Sequence, residues 1–249
     1  MSEKILLVTG ASRGIGAAVA RRAAGEGYRV AVNYASDIAA AEKVAVAIEK
    51  AGSQALIVKA DVSRADEIQR LFEAVDHKLG RLTHLVNNAG IVGRASRLDA
   101  ADPAMIREVI DLNVTGAMLV AREAAKRMST ANGGKGGAIV NLSSAAATIG
   151  SPGEFTWYAA SKGAIDSFTI GLARELAKEG VRVNAVSPGL IETDIHASSG
   201  QPDRVLRMSS LIPMGRAGTA DEVAETILWL LSDKASYVTG ANIRVAGGR

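Results

Sequence analysis

The stretch ILLVTGASRGIGAAVARRAAGEG, residues 5–27, decides the fold. Its first four residues form an apolar run closed by Thr9 and Gly10, which is typical of a buried parallel strand. The glycine-containing segment ASRGIG follows, and the alanine-rich run after it, which stops at Gly25 and Gly27, predicts a helix. The chain therefore begins with a strand, a glycine loop and a helix.

Strands and helices alternate along the rest of the chain. Further strands are predicted at residues 29–34, 55–60, 83–90, 138–144, 181–186 and 242–245, and further helices at 39–52, 65–79, 103–128, around Tyr158 and at 221–231. This alternation implies right-handed crossovers and a doubly wound α/β parallel sheet with helices on both faces. No linker or change of composition divides residues 1–249, so we expect a single domain. Residues 190–215 show no strand pattern, which is typical of a lid or a binding loop.

Composition excludes several kinds of site and disfavours several partners. The 249 residues contain no cysteine, and His77, His84 and His196 lack ligand-like spacing, so we expect no disulfide and no metal site. The net charge of +3 comes from scattered Arg and Lys, which does not favour nucleic-acid binding. The N-terminal run indicates a strand and not a signal peptide, and no apolar stretch approaches the length of a membrane span. We therefore expect a cytoplasmic protein that binds no membrane.

Three glycines lie where the first strand turns into the first helix. Gly10, Gly14 and Gly16 let the backbone approach a pyrophosphate closely, and the helix N-terminus supplies N–H donors and the positive end of a dipole. Their spacing is Gly-x-x-x-Gly-x-Gly, which differs from the more common Gly-x-Gly-x-x-Gly. A tight strand-to-helix turn without a ligand is the alternative. Because the glycines stand at the first crossover, we expect a dinucleotide site.

The residue at the end of the second predicted strand helps to distinguish NAD from NADP as the bound dinucleotide. An acidic residue there would bind the ribose hydroxyl of NAD and repel the extra phosphate of NADP, but the position carries neutral Asn33. Arg13 in the glycine loop offers a guanidinium for a phosphate, unless it is only a solvated surface residue. Asp37, after Ser36, fits the N-terminus of the next helix. NADP(H) is therefore favoured over NAD(H).

Tyr158 and Lys162 stand four residues apart in YAASKGAIDSF. On a helix their side chains lie on one face, about one turn apart. An ammonium that close to the phenol favours the phenolate and lowers the pKa of the tyrosine below its usual value of about 10. Such a tyrosine can exchange a proton with an alcohol or a carbonyl near neutral pH. The alternative is a structural tyrosine whose hydroxyl satisfies a buried partner.

An ordered set of motifs covers nearly the whole chain. The set comprises TGASRGIG at 9–16, NNAG at 87–90, Asn113, the serine pair at 143–144, YAASK at 158–162 and SPG at 187–189. Together these motifs resemble the short-chain dehydrogenase/reductase family, which implies a doubly wound (Rossmann) sheet of seven parallel strands. The chain looks most like the bacterial branch of 3-oxoacyl-carrier-protein reductases and glucose/ribitol-dehydrogenase-like oxidoreductases. The segments PGEFTWYAASKGAID and DKASYVTGANIRVAGG point to the second group.

The resemblance assigns roles to four residues. It makes Tyr158 the catalytic acid/base and gives Lys162 the task of lowering the pKa of Tyr158 and binding the nicotinamide ribose. Ser144 matches the serine that orients the substrate. Ser143, its neighbour in the strand, points to the opposite face, so only one of the two can face the substrate. Asn113 would hold a water that links Lys162 to solvent, although its residue type also fits a helix cap.

The resemblance also implies a set of cofactor-binding residues. Besides Tyr158 and Lys162, these are Gly10, Ser12, Arg13, Gly14, Ile15, Gly16, Asn33, Asp61, Val62, Asn88, Ala89, Gly90, Pro188, Gly189, Ile191 and Thr193. Asp61 and Val62 match the pair that contacts the adenine, and the strip from Pro188 to Thr193 matches the segment that fixes the nicotinamide. The pocket walls should come from residues 91–97, 145–157 and 190–215.

Two positions depart from the family pattern. Ala246 precedes the final glycine pair, where the family commonly has Asp, which implies a change in chain-end packing or in a subunit contact. Carrier-protein reductases resemble one another in a basic residue before the glycine that ends the catalytic helix, whereas this chain has Glu179 before Gly180. Lys126 and Arg127 remain as a basic patch for an acidic carrier protein.

The expected reaction is a reversible hydride transfer between NADP(H) and a carbonyl/secondary-alcohol pair. The alternatives are a 3-oxoacyl-carrier-protein reductase of fatty-acid synthesis and a non-catalytic dinucleotide-sensing protein. Family members pair through the catalytic helix, whose small residues Ala160, Ala164, Ser167 and Gly171 lie nearly opposite Tyr158. We therefore expect a homotetramer or a homodimer. Tight packing of these small residues against the chain's own sheet is the alternative.

Overall fold

The computed structural model describes residues 4–249, which contain seven strands. The strands are β1 Lys4–Val8, β2 Tyr28–Tyr34, β3 Ala55–Lys59, β4 His84–Asn87, β5 Gly137–Leu142, β6 Val181–Pro188 and β7 Asn242–Val245. They form one parallel sheet in the order β3-β2-β1-β4-β5-β6-β7. The predicted seven-stranded, doubly wound sheet is therefore confirmed.

Helices connect the strands and cover both faces of the sheet. They are α1 Gly14–Gly25, α2 Ile38–Lys50, α3 Ala65–Lys78, α4 Pro103–Ile110, α5 Ala117–Met128, α6 Ala146–Ile149, α7 Thr156–Leu176, α8 Ile195–Ser198, α9 Arg204–Met208 and α10 Ala220–Leu231. A π-helix, Asp111–Gly116, joins α4 to α5. Short 3₁₀ turns lie at Leu98–Ala100, Thr130–Asn132, Ala177–Glu179, Ser209–Leu211 and Asp233–Ala235. None of the helices in residues 4–249 combines the length and the apolar character that a membrane crossing needs.

Two apolar layers hold the helices against the sheet. On one face, alanines of α1 and apolar residues of α2 and α10 pack on the strands. On the other face, α3, α5 and α7 pack on the strands. The strand order reverses between β1 and β4, and ligands of open α/β sheets bind outside the carboxyl ends of the strands at such a point. The glycine loop follows β1, so the fold places it at this switch point.

Three segments differ from the sequence-based expectation. The helix predicted over 103–128 is interrupted by the π-helix at Asp111–Gly116. The strand predicted over 83–90 ends at Asn87, so Asn88, Ala89 and Gly90 leave the sheet at the switch point. Residues 190–215 form no strand, as predicted, but they contain the short helices α8 and α9. All three differences lie around the carboxyl edge of the sheet, where pairing and helix geometry give way to a site.

Candidate active site

The glycine loop is bound tightly to the segment that follows β4. The Thr9 hydroxyl oxygen accepts hydrogen bonds from the backbone N–H groups of Asn88 (2.9 Å) and Ala89 (3.0 Å). The Asn88 side-chain amide donates to the backbone carbonyls of Thr9 (2.8 Å) and Gly10 (3.1 Å). Strands β1 and β4 therefore hold the loop and the predicted cofactor-lining segment in one fixed arrangement.

The loop has the shape that a dinucleotide pyrophosphate requires. Gly10 and Gly14 have left-handed φ angles of 60° and 56°, which side chains rarely adopt. A Cβ atom on Gly14 would lie 3.5 Å from the Thr193 methyl group, so the loop and Thr193 face each other across a narrow gap. Arg13 occupies the N-cap position of α1 without a side-chain cap bond, so N–H groups of the first turn remain for an anion. The residues present fit the predicted cofactor.

Asn33 lies beneath the glycine loop and not at its surface. It is 1% exposed, and its amide donates to the carbonyls of Val58 (3.3 Å) and Ala60 (3.0 Å) while its oxygen accepts from the N–H of Gly10 (3.2 Å). The Asn33 side chain is therefore committed to the chain's own backbone and ties β2 and β3 to the start of the glycine loop. Its place among the cofactor-binding residues stays a prediction.

The exposed residues at the end of β2 are those that follow Asn33 and Tyr34. Ala35 and Ser36 are exposed, and no motif in the sequence marks Ser36 as a binding residue. Asp37 caps α2, because its carboxylate accepts from the N–H of Ala40 (2.9 Å), as predicted. Arg13 is exposed and forms no side-chain hydrogen bond or ion pair that involves residues 4–249. At this end of the loop Arg13 is thus an exposed cation, while the Asp37 carboxylate is engaged in the helix cap.

Asp61 and Val62 lie just after β3, on the far side of the switch point from Tyr158. The Asp61 carboxylate accepts from the backbone N–H (2.9 Å) and the hydroxyl (2.8 Å) of Ser63. Val62 is buried, and the backbone of Gly116 packs on its carbonyl so closely that a Cβ on that glycine would lie 2.2 Å from the oxygen. Both residues are therefore held rigidly where the predicted adenine end of the site lies.

Tyr158, Ser144 and Lys162 converge on one wall of a cleft. Tyr158 and Lys162 stand on α7, and Ser144 follows β5. The Ser144 hydroxyl accepts from the N–H of Ala146 (3.1 Å) and hydrogen-bonds the Tyr158 phenol. The Ser143 hydroxyl instead donates to the backbone carbonyl of Lys162 (3.2 Å). The structure thus separates the two serines as predicted: Ser144 meets Tyr158, and Ser143 supports the helix.

The predicted lowering of the Tyr158 pKa by Lys162 is not what the structure shows. Burial raises the pKa of Tyr158, and only the hydrogen bond from Ser144 opposes the shift. The Lys162 ammonium donates to the carbonyl of Leu142 (2.7 Å) and lies 5.7 Å from the centre of the Tyr158 ring. Burial lowers the pKa of Lys162 to about 8, against the attraction of Asp166. The expectation of an acidified phenol is therefore wrong for this arrangement, because the ammonium is directed to Leu142.

Asn113 lies in the π-helix and does not cap a helix. It is 1% exposed, and its side-chain amide donates to the carbonyl of Ile91 (2.8 Å) and to the hydroxyl of Ser161 (3.1 Å). Its side-chain oxygen accepts from the N–H of Ile91 (2.9 Å). A Cβ atom on Gly90 would lie 3.1 Å from that oxygen and 3.6 Å from the Lys162 ammonium. Asn113 therefore joins the 88–91 segment to the catalytic helix beside Lys162.

The strip after β6 lies opposite the glycine loop. Pro188, Gly189, Ile191 and Thr193 all line the cleft. Gly189 contacts the end of β7, because a Cβ atom there would lie 2.8 Å from both the Cα and the Cβ of Ala246. The departure from the family pattern at Ala246 therefore concerns packing against the strip that the resemblance assigns to the nicotinamide.

The cleft between these elements has a volume of about 430 Å³. Its walls come from the three predicted segments, through residues such as Val92, Phe155 and Met208. Sequence reasoning missed that Glu154 and Arg204, fifty residues apart, form an ion pair in this wall at 2.6 Å. Opposite charges in two loops carry no signal of pairing in a single sequence.

The small residues on the outer side of α7 do not pack against the sheet. Ala160, Ser167 and Gly171 are exposed, and Ala164 is half-buried. A Cβ atom added at Gly171 would meet no described atom within 4 Å. The alternative of tight packing on the chain's own sheet is therefore wrong, and this face is open in the single chain.

Comparison with known proteins places these features in a wider group. A family profile described as enoyl-(acyl carrier protein) reductase matches residues 10–249. The Escherichia coli (strain K12) protein named uncharacterized oxidoreductase YgfF is 53% identical over 98% of this chain and 99% of its own length. The 3-oxoacyl-[acyl-carrier-protein] reductase FabG of Staphylococcus aureus (strain Mu50) is 40% identical over 98% of this chain and 97% of its own length.

A solved structure extends the likeness to three dimensions. The short chain dehydrogenase from Burkholderia cenocepacia J2315, in complex with NADP, superposes with a TM-score of 0.90 at 33% identity. The match covers 98% of this chain and 97% of that one. The overall fold is thus shared with a protein whose structure was solved in complex with NADP.

Proposed function

Because this chain belongs to the short-chain dehydrogenase/reductase family, a family of oxidoreductases that use nicotinamide cofactors, we propose that it interconverts a carbonyl compound and a secondary alcohol with NADP(H). One observation carries the proposal. Ser144, Tyr158 and Lys162 stand together on one wall of a cleft whose other end is the glycine loop. A protein that only senses a dinucleotide has no use for this arrangement.

The roles of the side chains follow from their positions. Tyr158 gives its proton to the substrate oxygen in reduction and takes it back in oxidation. Ser144 hydrogen-bonds that same oxygen, because its hydroxyl already meets the phenol. Lys162 is buried, and in this arrangement its ammonium donates to Leu142 while lying 5.7 Å from the centre of the Tyr158 ring. We assign it the stabilisation of the negative charge that develops on Tyr158 when the phenol gives up its proton. A bound nicotinamide supplies the hydride in reduction and accepts it in oxidation.

Asn113 completes the proposed path for the proton. The side-chain amide of Asn113 donates its two hydrogens to the Ile91 carbonyl and the Ser161 hydroxyl. A water beside Lys162 would therefore donate a hydrogen bond to an oxygen of Asn113. Such a water would return a proton to Lys162 and from there to Tyr158 after each reduction.

The experiment that tests the proposed function follows NADPH absorbance during incubation with a panel of ketones, aldehydes and secondary alcohols. We expect Tyr158→Phe to lower kcat by at least about 10²-fold, since it removes the general acid, while NADPH binding persists. Tyr237→Phe is the matched control for loss of a phenol, because Tyr237 is fully exposed outside the cleft and the change keeps its aromatic ring for the assembly surface proposed below. Near-normal turnover by Tyr158→Phe would refute the assignment, and binding of NADPH without turnover on any compound would favour a sensing protein.

The preference for NADP(H) rests on charge at the adenosine end. Arg13 is exposed beside the glycine loop, and the Asp37 carboxylate is committed to the helix cap of α2. A guanidinium binds a phosphate through paired, charge-assisted hydrogen bonds. The exposed hydroxyl of Ser36 at the end of β2 is a second donor for the same group.

Reduction of acyl groups on a carrier protein is the second candidate, favoured by the likeness to the Staphylococcus aureus reductase. The surface beside the catalytic helix argues against it. Lys126 pairs with Glu123 at 2.7 Å, and Arg127, which is 17% exposed, pairs with both Glu123 (2.9 Å) and Asp76 (2.7 Å). The predicted basic patch is therefore largely neutralised by the chain's own acids, and we favour a free small-molecule substrate.

We also propose a homotetramer built on two surfaces. The first is the open face of α7 around Gly171 and Ile170. The second is formed by Trp229 of α10 and Tyr237 before β7, two aromatic residues that are exposed in the single chain. Two distinct self-complementary surfaces produce a tetramer of paired dimers, whereas one produces only a dimer.

A further inference from the structure

The substrate end of the cleft contains an ion pair that the proposed reaction does not use. Glu154 lies just before α7 and Arg204 begins α9, and their side chains meet at 2.6 Å. The Arg204 side chain is only 12% exposed and that of Glu154 31%. The guanidinium also stacks over the Phe155 ring, 5.2 Å from its centre. Glu154, Phe155 and Arg204 all line the cleft.

Neighbouring segments fix this pair in place. Gln201 accepts from Arg204 (2.7 Å), and its amide donates to Glu154 (3.4 Å). The backbone carbonyl of Glu154 accepts from the N–H of Ser96 (3.1 Å). Segments from all three walls of the pocket therefore meet at Glu154 and Arg204, so this ion pair is a fixed part of the site.

The other charged groups at the cleft decide how it responds to a charged ligand. Lys162 is engaged by Leu142 at the catalytic end. His196 accepts or donates at the carbonyl of Ile191 (2.8 Å), and burial lowers its pKa, so it is neutral at pH 7. Arg249 is the remaining cation at the cleft. Around these groups the wall is mainly apolar, through Val92, Ile149, Pro152, Phe155, Leu190, Ile195 and Met208.

We propose that Glu154 neutralises Arg204 within the substrate pocket, so that the enzyme selects uncharged, largely apolar carbonyl compounds over carboxylates of the same size. This inference rests on the proposed function, since it names the substrate class of the same site. A carboxylate that enters the pocket must lie near the Glu154 carboxylate, and like charges at close range are strongly unfavourable. The pair thus determines specificity by repulsion as well as by shape.

The proposal predicts that the preference for an uncharged ligand is lost or reversed when the Glu154 carboxylate is removed. Glu154→Gln keeps the hydrogen-bonding shape but leaves Arg204 as a nearly buried cation without its counter-charge, and such a cation attracts a carboxylate. The double variant Glu154→Gln/Arg204→Gln has neither charge, and the preference for a neutral ligand should return. Asp99→Asn is the matched control, because Asp99 pairs with the exposed Arg97 in a loop near the cleft without lining it.

The experiment compares octanoate with octanamide, two ligands of nearly equal shape that differ in charge. Calorimetry with the full chain and saturating NADPH measures the dissociation constant of each. We expect the wild type to bind octanamide at least about tenfold more tightly, Glu154→Gln to lose or reverse that preference, and Asp99→Asn to match the wild type. Thermal unfolding verifies that each variant folds.

Four results would overturn the proposal. They are equal binding of the two ligands by the wild type, an unchanged ratio in Glu154→Gln, no binding of either ligand, and a wild-type preference for octanoate that disappears in Arg249→Gln. Turnover on the carbonyl panel separates the two hypotheses. Turnover without charge selection refutes only this inference, whereas charge selection without turnover refutes the proposed reaction and supports the ligand class.

Discussion

At the scale of single residues, Lys162 shows how burial and one neighbour control a charge. Burial lowers the pKa of its ammonium to about 8, and the carboxylate of Asp166, one turn further along α7, raises it again. Asp166 is held in place by the side-chain amide of Asn242 from β7 (2.8 Å). The charge of Lys162, which we propose supports Tyr158, therefore depends on an acid that does not line the cleft.

This dependence predicts a change in the pH profile. A lysine whose pKa is lowered is charged below that pKa and becomes neutral as the pH rises through it, so the alkaline limb of kcat should lie near pH 8. Asp166→Asn removes the attraction that favours the ammonium, and the limb should move to lower pH. Glu175→Gln, an exposed substitution on the same helix, should leave it unchanged. An alkaline decline of kcat that stays at the same pH, or moves to higher pH, in Asp166→Asn would contradict this role of Asp166.

For single residues, sequence spacing predicts which side chains share a helix face but not the direction in which each side chain points. The four-residue interval correctly placed Tyr158 and Lys162 on one side of α7, because helix geometry determines it. The direction of the ammonium depends on side-chain torsions and on the free carbonyl of Leu142, which belongs to a distant strand. The pKa of Tyr158 was therefore predicted in the wrong direction, although the residue pair was identified.

At the scale of elements, the end of β2 and the glycine loop behave as one unit. The N–H of Ala11 donates to the carbonyl of Asn33 (2.8 Å), and the Asn33 side chain binds Gly10. In a strand that is covered on both faces, alternation does not reveal which polar side chain meets a ligand, so the sequence could not show that the Asn33 side chain binds the chain's own backbone. The chain becomes exposed at Ala35, directly after the strand ends, and Ser36 is the first exposed residue there with a polar side chain.

Ser36→Asp should change the cofactor preference. A carboxylate at the end of β2 repels the extra phosphate of NADP and can accept from the ribose hydroxyl of NAD. We expect kcat/KM for NADPH to fall by about tenfold or more while that for NADH is maintained or rises. Ala39→Asp adds the same charge three residues later, in the first turn of α2, and serves as the control. A parallel loss with both cofactors would show that Ser36 does not determine the preference.

The π-helix illustrates the limit of pattern reading at this scale. Residues 103–128 were predicted to be helical, and they are, but with a π-helix between α4 and α5. The extra residue per turn at Asp111–Gly116 depends on contacts outside the segment, including the bonds of Asn113 to Ile91 and Ser161. Such turns occur frequently at functional sites, which agrees with its place behind Lys162.

At the scale of the whole molecule, the sheet was predictable because its pattern repeats. Apolar runs such as those of β1 and β6, each followed by helical periodicity, determine a parallel doubly wound topology whatever the details of the loops. The substrate pocket was predictable only as three wall segments. Its charge depends on the pairing of Glu154 with Arg204 across two loops, and this contact exists only in the folded chain.

Assembly is a prediction at this scale. Gly171→Arg places a long cation on the open face of α7, where its Cβ would meet no described atom within 4 Å in the single chain. The monomer should therefore fold normally, while close approach of two copies of α7 is blocked. We expect sedimentation at micromolar concentration to give a tetramer for the wild type and smaller species for this variant.

The control for assembly is Ala39→Arg, an exposed substitution of the same size on α2. It should sediment like the wild type, since α2 is outside both proposed surfaces. A wild type that sediments only as a monomer, or a Gly171→Arg variant that still forms tetramers, would refute the assignment of this face.

The hydrogen bonds of the Asn113 side-chain amide affect how the residues of the site are ordered before a substrate binds. Its bonds fasten the turn after β4, the widened turn of its own helix and the start of α7 to one another. Tyr158 and Lys162 on α7, which we propose to take part in the reaction, are therefore held in place once the chain has folded, and a substrate that binds then loses less free energy to ordering them. The conformational entropy of these side chains is lost once, when the chain folds, and not again at each turnover.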